Sequence, residues 1–186
     1  MNVYRTEFKD VFLINPDVHR DARGYFVESF HARTFQERTG LDISFVQDNE
    51  SVSTYGVLRG LHFQKPPHAQ SKLIRVVEGN ILDVGVDLRA TSKTFGQVIT
   101  QELSADNGLQ LFLPKGFAHG FSVLSDQAKV LYKCDTFYNP QAESGIVFND
   151  TDLDIDWEIP DSKALVSEKD RSWPTFAEVM TESYAW

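Results

Sequence analysis

The chain has 186 residues, enough for one domain with a sizeable core, and its 41% hydrophobic and 24% charged residues are the balance of an ordinary globular protein. A formal net charge of −9 argues against non-specific nucleic-acid binding, which runs on positive surface charge, but leaves room for an anionic small molecule held by a local cluster of Arg, Lys and His. No apolar run approaches the length of a membrane span and Met1–Glu7 is polar, so a cytoplasmic location is expected.

In chain order, His31 to Thr39 reads as a helix closed by Gly40. Short runs rich in Val, Ile and Phe predict strands over 43–46, 72–77, 81–88, 97–103, 109–113 and 130–137. Turn residues separate them at Glu78-Gly79-Asn80, Asp106-Asn107-Gly108 and Pro114-Lys115-Gly116. Many short strands at this spacing imply an antiparallel sandwich or barrel. The acidic stretch 149–171 reads as irregular chain wrapping the barrel, followed by a helix that starts at Ser172 or at Trp173-Pro174 and runs through Phe176, Val179 and Met180. With no repeat, linker or low-complexity segment, the expectation is a single domain over 1–186: arm and helix 1–40, barrel 41–148, C-terminal wrap 149–186. Cys134, the lone cysteine, sits among Val130, Leu131 and Tyr132 and reads as a buried, inert thiol.

Polar residues fall where a sandwich wants apolar ones. Strand parity puts Gln47, Asn49 and Ser51 on one face, and His62 with Gln64 on the face opposite Phe63. An interior lined this way must be paired or wet, because each dry, unpaired polar group costs roughly 2 kcal/mol or more. A polar-lined barrel mouth is a ligand cavity; an edge strand with two solvated faces would give the same pattern. Arg59 has the wrong parity to join His62, but Gly60 between them is suited to a bulge that would turn both into the cavity.

The segment from Gly108 to His119, with Pro114-x-Gly116 and His119 at its end, resembles the second cupin motif and implies an all-β, double-stranded β-helix (jelly-roll) barrel with a few short helices. The first cupin motif, normally His-x-His with a later Glu as metal ligands, is altered here: His62-Phe63-Gln64 replaces the pair, and Lys72 stands where the Glu would be. An ammonium repels a divalent cation, and His62 and His119 alone are too few donors to hold one well, so no metal and no other cofactor is expected.

These features together resemble the dTDP-4-dehydrorhamnose 3,5-epimerases, a family of metal-free cupins. The similarity covers nearly the whole chain and is most specific at Asp21–Glu28, Val46–Ser53, Leu58–Gln64, Gly116–Phe121 and Ser167–Asp170. The resemblance implies His62 as the base that removes a proton beside the C4 ketone, and Asp170 as the carboxylate that orients it. It implies Lys72 as the cation on the enolate oxygen and Tyr132 as the acid on the opposite face. Arg23, Glu28, Gln47, Asn49, Arg59, His119, Glu143 and Lys169 would hold the nucleotide diphosphate and sugar, and Phe26 would stack on the thymine. It further implies a homodimer in which the N-terminal arm, with Arg23, Phe26 and Glu28, serves the other subunit.

The chemistry needs these residue types. A proton next to a ketone is weakly acidic, so abstraction needs a base poised near neutral pH and a positive group on the developing oxyanion. Inversion needs an acid on the other face, and a tyrosine can keep its proton until the enolate takes it. Read without the resemblance, Tyr132 could be a core tyrosine and Asp170 part of a solvated charged loop. A single-site epimerase or ketoisomerase on the same frame remains open, as do a metal-dependent cupin and a non-catalytic sugar binder.

Overall fold

The computed structural model describes residues 1–186. Its strands and helices run, in chain order, β1 (Asn2–Arg5), β2 (Phe12–Asn15), β3 (Val18–Asp21), β4 (Gly24–Val27), α1 (Ala32–Thr39), β5 (Gln47–Thr54), β6 (Val57–Gln64), β7 (Lys72–Glu78), β8 (Asn80–Asp87), β9 (Val98–Ser104), β10 (Gln110–Leu113), β11 (Phe117–Val123), β12 (Gln127–Cys134), β13 (Glu143–Gly145), β14 (Leu165–Val166), α2 (Glu168–Arg171) and α3 (Phe176–Val179). No helix is long and apolar enough to cross a membrane.

Two sheets face each other as a cupin jelly roll. One has the order β1-β2-β10-β7-β12-β5, the other β13-β6-β11-β8-β9, with β14 added parallel to β6. Between them lies a core drawn from both, including Ile74, Leu111 and Val130 from the first and Ile81, Phe121 and Val123 from the second. Each such side chain contributes roughly 1.5–3 kcal/mol of transfer free energy. The outer face of the second sheet is also apolar. Leu82, Val84 and Val86 of β8 pack there against Leu153, Trp157 and Val179 of the C-terminal wrap. The outer face of the first sheet carries Phe12, Leu73 and Phe112, covered by Phe35 of α1. β3 and β4 form a separate hairpin on which Tyr25 and Phe26 are exposed.

Helix α1 starts and stops where the sequence predicts. His31 Nδ1 accepts from the Thr34 N–H at 3.3 Å, and Gly40 takes the left-handed φ of 79° that a C-terminal cap requires. Three expectations need correction. Residues 43–46 form no strand: Ile43 and Phe45 pack against the core under α1, and only Val46 N–H reaches β12, at Cys134 O. The strand is instead the polar run that follows, β5. The run expected over 130–137 starts earlier, at Gln127, and stops at Cys134, after which the Asp135 carboxylate turns back to accept from Ser71 N–H at 2.7 Å. The last helix begins at Phe176, because Thr175 and Glu178 form a reciprocal capping box; Ser172 and Trp173 precede it in non-helical chain. The 149–171 wrap also contains structure the sequence did not announce, namely β14 and α2.

The predicted bulge is present. Arg59 pairs with Phe121 and His62 with His119, so Gly60 and Leu61 oppose the single residue Gly120. Leu58 and Leu61 consequently share the outer apolar face, which strict alternation would forbid. Gly60 has φ 117°, and a Cβ there would lie 2.6 Å from Gly120 Cα and 2.7 Å from His119 O. Gly60→Ala is therefore expected to lower stability by about 3 kcal/mol, as overpacking against backbone does. Urea unfolding should show a lower midpoint with an unchanged slope.

Candidate active site

At one end of the barrel the interior turns polar. Along β5, Gln47, Asn49, Ser51 and Ser53 face inward and are partly or fully buried, while Asp48, Glu50, Val52 and Thr54 are exposed. A cleft of about 260 Å³ opens there, lined among others by Gln47, Asn49, His62, Lys72, Tyr132 and Glu143. Six of the residues implied by the resemblance thus converge from β5, β6, β7, β12 and β13.

The bulge organises the chemistry. It turns His62 into the cleft, and His62 Nε2 lies 2.7 Å from Asp170 Oδ1 across 108 positions of sequence. Asp170 is brought there by β14, which pairs with Val57 and Leu58, and by Ser167, which caps α2 by accepting from Asp170 N–H at 3.1 Å. The other carboxylate oxygen accepts from the Gly60 N–H at 3.3 Å. Burial raises the Asp170 pKa, but hydrogen bonds and charge from His62, with the Gly60 N–H and Trp173, outweigh it and leave the carboxyl below its ordinary 3.8. An ionised Asp170 selects the Nε2–H tautomer of neutral His62 and leaves Nδ1 as the free, basic nitrogen.

Lys72 reaches the cleft from β7 and donates to the His62 carbonyl at 3.4 Å. Burial pushes its ammonium pKa down, opposed by carboxylates including Asp83 and Glu143. Tyr132 on β12 has its pKa raised, chiefly by burial, so its phenol keeps its proton at neutral pH. At the rim Glu143 accepts from Tyr138 Oη and pairs with Lys169 Nζ, both at 2.6 Å. Arg59 donates to Ser53 Oγ at 3.1 Å. His119, paired in register with His62, is buried behind the cleft with Nε2 2.7 Å from Asp83 Oδ1. Burial lowers the His119 pKa and Asp83 opposes it. No three His, Cys, Asp or Glu side chains converge as a metal site would need.

Arg23, Phe26 and Glu28 do not reach the cleft of their own chain. They stand exposed on and beside the β3–β4 hairpin, with Arg23 paired to Asp21. Gln64, read in the sequence on the His62 face, also lines the cleft; Tyr138 and Gln70 line it too and were not singled out in the sequence. Gln70 and Tyr138 lie in loop chain with no periodicity to read.

A family model described as dTDP-4-dehydrorhamnose 3,5-epimerase matches residues 5–178. The chain belongs to this epimerase family. It is 50% identical over 178 residues to the dTDP-4-dehydrorhamnose 3,5-epimerase of Pseudomonas aeruginosa, covering 96% of this chain and 97% of that one. The crystal structure of the enzyme of that name from Elizabethkingia anophelis superposes with a TM-score of 0.92 at 53% identity, over 96% of this chain and 97% of that chain. A Legionella pneumophila dTDP-6-deoxy-D-glucose-3,5-epimerase, solved in complex with dTDP-4-keto-L-rhamnose, superposes at 0.91 with 41% identity over 99% of both chains. In this epimerase fold the cleft is therefore the place to look for the reaction.

The lowered Asp170 pKa carries a pH signature. The stability it contributes is present above the ordinary carboxylate value near 3.8 and is lost as pH falls through the lower folded value. Asp170→Asn should remove that acid-side loss, so urea midpoints of the two proteins, measured from pH 5 down to pH 2.5, should converge toward the acid end.

Proposed function

We propose that this epimerase inverts C3 and C5 of dTDP-4-dehydro-6-deoxy-D-glucose to give dTDP-4-dehydro-L-rhamnose, with the cleft around His62 as its active site. The observation that carries the site is the 2.7 Å His62–Asp170 pair opening on the same cleft as Lys72 and Tyr132. Nδ1 of His62 takes the proton from the carbon beside the C4 ketone. The electron pair moves onto the ketone oxygen, and Lys72 stabilises the resulting enolate charge in a low-dielectric setting. Tyr132 returns a proton to the opposite face of the same carbon, completing inversion. The imidazolium is stabilised by Asp170 until it releases its proton to water, and the Tyr132 phenolate takes a proton back from water. Repetition at the second carbon needs the same groups and a shifted sugar.

Gln47, Asn49, Arg59, His119, Glu143 and Lys169 hold the sugar nucleotide. The Glu143–Lys169 pair must open or rotate so that the Lys169 ammonium can meet a phosphate, which it binds as a point charge. Arg23, Phe26 and Glu28 complete the site from the arm of a second copy in a homodimer, and the exposure of Tyr25 at 61% and Phe26 at 70% supports this, since such rings want a partner surface. A cytoplasmic enzyme fits a soluble nucleotide-sugar substrate.

Proton NMR of the keto-sugar with chelator-treated enzyme in heavy water tests the reading. Deuterium should enter C3 and C5 with inversion; entry at one carbon would make it a single-site epimerase, and no exchange would sink the catalytic reading. His62→Ala should lower kcat by about 10³-fold, the order supplied by a general base, with little change in nucleotide affinity. Tyr132→Phe should keep exchange on the face of His62 and lose inversion. Mixing His62→Ala protein with Arg23→Ala protein, after subunit exchange, should restore turnover above either variant alone; absence of any gain would refute the shared site.

A further inference from the structure

Trp173 lies between α2 and α3, three residues after Asp170. Its ring is held in one place from several sides. A Cβ at Gly145 would lie 2.7 Å from both Cδ2 and Cε2 of the indole, so the ring rests directly on the β13 backbone. Gly145 is the residue paired in register with His62. The indole therefore stands beside the His62 imidazole, edge to face, with ring centroids 6.3 Å apart at 72°. Lys169 Nζ lies 5.5 Å from the indole centroid on its way to Glu143. The segment is tied down by the Val147 N–H donating to Pro174 O at 2.9 Å.

The polar end of this ring is the telling feature. Trp173 Nε1 is buried and closes no aligned hydrogen bond. A buried indole N–H without an acceptor is costly, and few are left so. The nearby acceptor is the Asp170 carboxylate, which the indole helps to hold below its ordinary value. The carboxylate already accepts from His62 and Gly60 and has lone pairs left for a third donor.

We infer that Trp173 is the positioning residue of the His62–Asp170 pair: its ring fixes the plane of the imidazole, and its N–H anchors the carboxylate, so that Nδ1 is presented to the sugar in a single tautomer. This deepens the proposed function and rests on His62 being the base. Phe in place of Trp keeps most of the ring contact and removes the donor; Ala removes both.

The test is NMR of the imidazole nitrogens in ¹⁵N-histidine-labelled protein, without substrate, alongside kcat and KM. Wild-type protein should show neutral His62 as the Nε2–H tautomer. Trp173→Phe should show mixed tautomers with kcat reduced about 10-fold, and Trp173→Ala a reduction of about 100-fold, the same order as the loss when a residue orienting a metal-bound histidine is removed. KM should move little in Trp173→Phe, whose ring still lies under Lys169, and should rise in Trp173→Ala, which loses that contact. A wild-type His62 spectrum in both folded variants overturns the inference, whatever their turnover. If instead His62→Ala keeps full activity, the assignment of the base fails, and the tautomer measurement still reports separately on Trp173.

Discussion

The carboxylate of Asp170 bridges two groups that one bulge sets free. One oxygen accepts from the Gly60 N–H, which the bulge lifts out of the strand ladder, and the other meets the imidazole that the same bulge turns inward. Edge strands are normally open to solvent at such a place. Here β13 covers one end of the β6 edge and β14 the other, and Asp170 occupies the interval between them. A single arrangement thus satisfies the backbone, docks the C-terminal wrap and fixes the tautomer of the base.

The barrel divides its interior by length. Toward one end Ile74, Leu103, Val123 and Val130 make a dry core. Toward the other, the same strands carry Lys72 and Tyr132, and β5 contributes Gln47 and Asn49. Enclosing an ammonium costs several kcal/mol unless charges and donors of the right sign are near. Asp83 and Glu143 provide part of that compensation. The remaining imbalance favours an anionic guest, which is the character of a diphosphate and of an enolate. The acidic residues of the chain are mostly on the outer surface and the C-terminal wrap, and the cleft lining itself holds Lys72 and Glu143.

Much of the site was legible in the one-dimensional pattern. The polar residues along 47–51 pointed to a wet interior or to a solvated edge strand, and Gly60 between Arg59 and His62 pointed to a bulge or to two unrelated faces. The cap at Gly40 and the turn glycines followed from local backbone preference. What misled was hydrophobicity without context. Ile43 and Phe45 look like a strand because they alternate, yet they serve the small aromatic core beneath α1. Thr175 and Glu178 outcompete Ser172 as the start of the last helix because only they form the reciprocal cap.

The sequence by itself determined the β-rich barrel and the family and suggested the bulge, since these rest on local backbone chemistry and on the order of motifs along the chain. It joined Asp170 to His62 only through the family resemblance, and it could not pair His119 with Asp83 or set the Trp173 ring on Gly145. Those contacts join positions as much as 108 residues apart. Only the folding of two sheets against each other, with the C-terminal wrap docked on the β6 edge, decides which distant side chains share a few ångströms of buried space, and the pKa shifts follow from that enclosure.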